Sequence, residues 1–463
     1  MKTKIRRQLA ARNCRIQKRL DKTRFGRDCP VIAASNIHYE IADRTQAIAA
    51  GGIGMIHQMV KQLGLDQLIN RRLNIFKIYL PYAESDHVLS IAYNLLAGGT
   101  CLDHLELRRQ DEVYLNALGA QRIPDPTTAG DFCRRFSISH VNRLMALFNE
   151  TRLKVWKRQP DAFFAEARID ADGTMVETTG QCKEGIDINH KGQWGYHPLL
   201  VSLANTTEPL FIVNRSGNRP SHEGAAEYLD RAVQLCRRAG FRKIRLRGDT
   251  DFTQTAHLDR WDKDGVKFVF GYDAMPNLYE YVEKLPQNAW RRLHRPPKYE
   301  VRTQPRARPQ NVKKRIIEER EFENIRLVKE YVAEFRYSPT KCGKTYRMVV
   351  VWKDLETCQG QRKLFDTERC FFYITNDWEA SAAEIVADAN GRCNQENTIQ
   401  QHKSGVHALT APLDNLVSNW AYMVIASLAW SLKAWSALLL PEQGRWKEKH
   451  REEKRRLLRM DFS

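Results

Sequence analysis

Three short stretches carry carboxylates where a chain could use them. "ARIDADGT" holds Asp170 and Asp172, "IRLRGDTDF" holds Asp249 and Asp251, and "GRCNQENTIQQHKSG" holds Glu396. The first two alternate as strands do. Asp170 and Asp172 share one face, with Ile169 and Ala171 on the other; Ile244, Leu246 and Gly248 alternate with Arg245, Arg247 and Asp249. A carboxylate that ends a buried strand sits at the sheet's edge, where α/β proteins place chemistry. It is equally a common turn former or helix cap. Three such groups on three elements, without a His/Cys cluster, suit a hard divalent cation such as Mg²⁺ or Mn²⁺. Two such ions roughly 3.5–4 Å apart can activate water and stabilise the leaving oxygen of a phosphodiester.

Around Glu396 the spacing is that of a helix. Arg392, Glu396 and Lys403 stand four and seven residues apart and project from one face, with Ile399 beside them. On an isolated helix Arg392 and Glu396 would be a solvated ion pair of little weight. Other chemistries find less support. There is no G-x-S-x-G elbow, no P-loop and no G-x-G-x-x-G. The ten cysteines are scattered with no C-x-x-C pair, which argues against a zinc ribbon or a disulfide framework and for reduced thiols in a cytosolic protein.

The elements that must position these groups fall into blocks. The chain has 463 residues, 42% hydrophobic, enough for several domains, and its 74 Lys and Arg against 55 Asp and Glu give a net charge of +19. A polyanion is the expected partner, with nucleic acid ahead of a membrane surface. The opening Met-Lys-Thr-Lys-Ile-Arg-Arg leads into no apolar core, so no secretory signal is expected, and the apolar run Trp420 to Leu432 reads as a buried helix too short to span a bilayer. Residues 1–50 form a basic arm. Residues 51–160 have helical periodicity, including "IPDPTTAGDFCRRFS", a turn entering a helix capped by Thr127 or Thr128, with Arg134 and Arg135 near its far end. Residues 161–272 read as strand, hairpin, helix, strand, helix, strand, with Ser221 as a helix cap and Gly240 past that helix's end. Residues 273–366 read as a β-rich insertion with a basic, Pro-rich loop over 290–315 that is not helical. The α/β pattern resumes over 367–410, where Ser381 and Glu384 make a capping box, and 411–463 reads as C-terminal helices. The fold class is α/β with mixed sheet polarity.

"IDADGT", "RLRGDTDF" and "GRCNQENTIQQHKSG" resemble the three acidic motifs of bacterial insertion-sequence DDE transposases. The branch in view carries a Tyr–Arg–Glu–Lys signature, which Arg392, Glu396 and Lys403 match; Ala389 stands where Tyr is expected. The likeness extends to "YEIADRTQAIAAGGIG", "ESDHVLSIAYNLLAGGTCLDHLELRR" and "IPDPTTAGDFCRRF". It implies a ribonuclease H-like mixed sheet with flanking helices, interrupted by the β-rich insertion and preceded by the mainly helical region. It implies that Asp172, Asp249 and Glu396 bind Mg²⁺, with Mn²⁺ able to substitute. Asp172 precedes the small residue and Thr of the motif (Gly173, Thr174), and Asp249 follows Gly248; Asp170 and Asp251 are their near alternatives. Arg392 and Lys403 would hold phosphates of the element end, and Arg134, Arg135, Arg306, Arg308, Lys313, Lys314 and Arg315 would meet the DNA backbone. The implied partners are the terminal inverted repeats and target DNA, bound by a homodimer in the bacterial cytoplasm at the nucleoid. The activity would be metal-dependent cleavage followed by strand transfer. Trp352 reads as core before it reads as a base-stacking residue. Two other readings fit the same residues: a nuclease that cuts without joining, and an end-binding repressor without catalysis.

Overall fold

The computed structural model describes residues 50–76, 81–295, 311–359, 362–442 and 444–462, with a few more between 7 and 18. The basic arm, Arg306 and Arg308 lie wholly or largely outside the described residues.

The helical block is present as expected. It includes α1 (Ile53–Leu63), α2 (Leu65–Arg72), α3 (Glu84–Leu96), α4 (Pro126–Arg134) and α5 (Ile138–Trp156). The cap of α4 differs from expectation. Asp125 accepts from the Thr128 N–H, and Pro126 takes the first helical position, where its missing N–H costs nothing.

A nine-stranded sheet follows. Its strands are β1 (Glu166–Gly173), β2 (Leu199–Leu203), β3 (Glu208–Val213), β4 (Lys243–Gly248), β5 (Lys267–Tyr272), β6 (Arg291–Arg292), β7 (Glu323–Tyr337), β8 (Tyr346–Gln359) and β9 (Arg362–Thr375). They lie in the order β3-β2-β1-β4-β5-β9-β8-β7-β6. β1 runs antiparallel to β2 and parallel to β4, and β4 runs parallel to β5. Ala167, Ile169 and Ala171 bury one face of β1, towards α6 (Ala225–Ala239). That helix starts after Gly224 in a left-handed turn (φ 72), not at Ser221, and ends at Gly240 as expected. The helix α7 (Thr255–Lys263) links β4 to β5.

The insertion does not form a sheet of its own. β7, β8 and β9 extend the central sheet through the β5–β9 pairing, and β9 runs unbroken across the boundary expected at residue 366. The last four residues of β9, Phe372–Thr375, pair antiparallel with β5 along the edge that β4 leaves open. Part of the expected basic loop is helical: α8 (Val312–Glu319), capped by Asn311, carries Lys313, Lys314 and Arg315. Trp352 packs with Trp290 and Tyr331 on this part of the sheet.

Beyond the sheet come α9 (Ala382–Gly391), opened by the expected Ser381/Glu384 capping box, and α10 (Cys393–Gln400), which runs into a π-turn over Gln401–Gly405. Then α11 (Leu416–Leu439) and α12 (Lys447–Arg459) close the chain. α11 is longer than the apolar run suggested, and 24 residues could cross a membrane by length; here 94% of its apolar window is buried in the protein.

One knot ties the layers together. Glu208 on β3 is fully buried and accepts from Arg152 Nε (2.9 Å) and Trp156 Nε1 (2.9 Å) on α5, Trp435 Nε1 (2.8 Å) on α11 and Thr206 Oγ1 (2.6 Å). Removing one partner of a buried ion pair leaves an uncompensated charge. Glu208→Ala is therefore expected to lower unfolding stability by roughly 3–5 kcal/mol in a urea titration. A loss below about 1 kcal/mol would show that packing alone holds the three layers.

Candidate active site

β1 and β4 are neighbours and parallel, so their C-terminal ends emerge side by side. Asp170 and Arg247 are partners in the register, and the guanidinium forks onto the carboxylate at 2.7 and 2.8 Å. Both side chains are buried. Asp170 is thereby consumed within the fold. Two residues further along each strand come Asp172 and Asp249. Asp172 is the last residue but one of β1, and Asp249 caps the short turn Thr250–Phe252, accepting the Asp251 N–H at 3.1 Å. Asp251 itself is exposed.

The third element arrives over the sheet. Gln395 on α10 is buried and donates to the Leu200 carbonyl (3.1 Å) while the Ser202 hydroxyl bonds its amide oxygen. α10 is thus hooked to β2. Arg392 sits at the break between α9 and α10 and points its Nη1 at both aspartates, 3.6 Å from Asp172 Oδ2 and 3.8 Å from Asp249 Oδ2. Glu396, one turn on, is exposed. Its charge nonetheless reaches Asp172.

The electrostatics follow from this crowding. Burial pushes the Asp172 carboxyl up to about 7, and the Asp249 charge adds to it; Arg392 pulls the other way and Glu396 adds a smaller push. Asp249 is raised as well, by burial first, against Arg392. Two carboxylates held this way favour a cation between them. The donor set is all oxygen, which fits Mg²⁺ or Mn²⁺ rather than zinc. Asp172 and Asp249 would be the ligands, with Glu396 the third acid that the sequence points to. Among the described residues no three His, Cys, Asp or Glu side chains already stand close enough to hold a metal.

The other expected residues are placed differently. Lys403, in the π-turn, donates to the Met175 carbonyl at 2.7 Å just beyond β1, and burial lowers its pKa. Arg134 bonds Asp131 (2.9 Å) and Asp414 (3.0 Å), and Arg135 lies over the Phe76 ring. Lys313, Lys314 and Arg315 are exposed on α8. His402 is core: its Nδ1 meets the Thr398 carbonyl at 2.7 Å, and its ring packs on Trp430. Sequence reading singled out neither Gln395 nor Arg247. Arg247 left a signal, an arginine on a strand that reads as buried; Gln395 left none.

The chain matches the family described as "Transposase DDE domain group 1" over residues 39–459. It belongs to that family. No curated protein matches it significantly. A cryo-EM structure of the piggyBac transposase synaptic complex with hairpin DNA aligns over 85% of this chain and 84% of that one, at 11% identity and a TM-score of 0.35, a likeness too loose to carry fold or function. As a member of the DDE group, this transposase has its two strand-end aspartates on adjacent parallel strands of one sheet.

The raised pKa of Asp172 has a consequence for stability. The folded state holds a proton that the unfolded state releases near pH 4, so stability falls as pH rises from about 4 to about 7 and stays low above that. In metal-free protein, Asp172→Asn is expected to raise stability at pH 8 by on the order of 2 kcal/mol, with the gain shrinking towards pH 4. Chemical denaturation at both pH values measures it; an equal effect at the two would place the carboxyl at an ordinary pKa.

Proposed function

We propose that this chain is the transposase of a bacterial insertion sequence, of the Tyr–Arg–Glu–Lys branch, acting on the element's ends through Asp172, Asp249 and Glu396. The observation that carries the reading is the convergence of Asp172 and Asp249 on one cation, the Arg392 guanidinium. The sheet order β3-β2-β1-β4-β5, with β1 antiparallel to β2 and parallel to β4, supports a ribonuclease H-like catalytic core. A divalent cation, when bound, supplies Lewis-acid activation of water and of the scissile phosphodiester. Asp172 and Asp249 would hold it, and the field that raises the Asp172 pKa would be relieved by its charge. Gln395 ties the helix that bears Glu396 to β2, and Glu396 would complete the ligand set. Arg392 offers a guanidinium fork suited to phosphate beside the two acids. The substrate would be duplex DNA, first at the terminal repeats and then at the target, where the freed 3′-hydroxyl attacks. Cutting at two ends makes a homodimer on DNA the expected assembly, in the cytoplasm at the nucleoid.

The test uses purified full-length protein, Mg²⁺ or Mn²⁺ and a labelled duplex of the element's own end, with nicking and joining followed separately. Glu396→Gln is expected to lose both by at least about a hundredfold while still binding the end. Cleavage without joining would point to a nuclease, and end binding without cleavage by either protein to a repressor.

Lys403 divides two readings. As a phosphate contact, its neutralisation in Lys403→Met would lower the salt slope of end binding by about one. As the tie to Met175 shown by its 2.7 Å bond, it would leave that slope unchanged and lower cleavage. The structure's own bond favours the second outcome.

A further inference from the structure

The sequence places glycine at 391, inside a helical run, where alanine would serve a helix better. The structure supplies a reason. A Cβ at Gly391 would lie 2.8 Å from Arg247 Nη1. The far end of an arginine could ordinarily move aside, but this one is held on every side. Nε and Nη2 fork onto Asp170, and Nη1 donates to both the Asp388 carbonyl and the Asp388 Oδ1 at 3.0 Å.

One guanidinium therefore joins the two strands that carry Asp172 and Asp249 to α9, the helix that leads into Arg392 and the Glu396-bearing α10. Asp170 lies two residues before Asp172, Arg247 two before Asp249, and Asp388 four before Arg392 and eight before Glu396. Packing holds the other face of the same helix. The middle of α9 rests on the sheet through Ile385 and Val386, against Val269 and Val349. Along the helix an open charged cleft of about 710 Å³ faces β1 and β4, with Glu384, Arg247, Asp388 and Gly391 in its wall. Across that cleft the Arg247–Asp388 bonds tie the helix end to β4.

We propose that Arg247 is a positioning residue: it fixes the spacing of Asp172, Asp249 and the Arg392–Glu396 segment, and Gly391 is the gap that lets it do so. This rests on the metal-site reading given above. It predicts a defect in the site while α9 stays docked on the sheet, because the apolar anchors of α9 do not involve Arg247.

Mn²⁺ binding to the full chain, read from the electron paramagnetic resonance of the free ion, tests this without any turnover. Gly391→Ala is expected to weaken Mn²⁺ binding about tenfold, in the range seen when an outer partner of a metal ligand is lost. Its thermal midpoint and its metal-free binding to the end duplex should match the wild type. Arg247→Lys, which keeps the charge and removes the fork, should weaken Mn²⁺ similarly. In that background the alanine should cost nothing further, since the atom it strikes is gone. Wild-type Mn²⁺ binding by Gly391→Ala overturns the proposal, as do costs that simply add in the double variant. If Gly391→Ala unfolds, Arg247→Lys decides by the same assay: unchanged Mn²⁺ affinity overturns the proposal. A wild-type chain that binds no Mn²⁺, and is indifferent to Asp172→Asn, overturns the metal-site reading and this inference with it.

Discussion

The register of β1 against β4 is the constraint on which the site depends. Parallel strands have no turn to fix their alignment, so something else must. Here a charge does part of it. Asp170 opposite Arg247 is satisfied in one register, and a slip would leave two buried ions apart, at a cost of several kcal/mol. Once that row is set, the next same-face row holds Asp172 and Asp249, and they can be nowhere else. The repulsion between them, and the burial that raises both pKa values, is imposed by a pair lying one step deeper in the sheet.

A second set of bonds keeps the frame from spreading. The Glu208 knot draws α5 and α11 onto the far edge of the sheet, at β3, while Gln395 pins α10 to β2. The helical block, the C-terminal helix and the helix bearing Glu396 are thus all referred to the strands on one side of β1. The insertion is referred to the other side, through β5 and β9.

Much of this was legible because it follows from local periodicity. The alternation of Ala167, Ile169 and Ala171 with polar partners marks β1 and its buried face, and the capping box at Ser381 marks the start of α9. The two strand-end aspartates could be read as a site for the same reason. What was not legible depends on partners distant in the chain. That Asp170 is taken up by Arg247, that Lys403 finds the Met175 carbonyl and that β9 joins β5 are facts about pairings 77, 228 and about 100 residues apart. The caps at Asp125 and Gly224 were missed for a smaller reason. Pro126 and a left-handed glycine shift a helix start by a few residues without changing its apolar pattern.

The continuity of the sheet has a mechanical side. Between β1 and β8 the strands step through β4, β5 and β9, each joined to the next by backbone hydrogen bonds. A sheet twists by about 20–25° per step, so four steps turn the strand direction through roughly a right angle. The strands β7, β8 and β9 of the insertion are long, about 45 Å at the usual rise per residue. At that average twist the insertion strands would lie across β1 while remaining continuous with it through the sheet. A load at the far end of the insertion would reach β5 through the four backbone pairs Phe372–Thr375, so the direction of the insertion strands is coupled to that of the strands bearing the two aspartates.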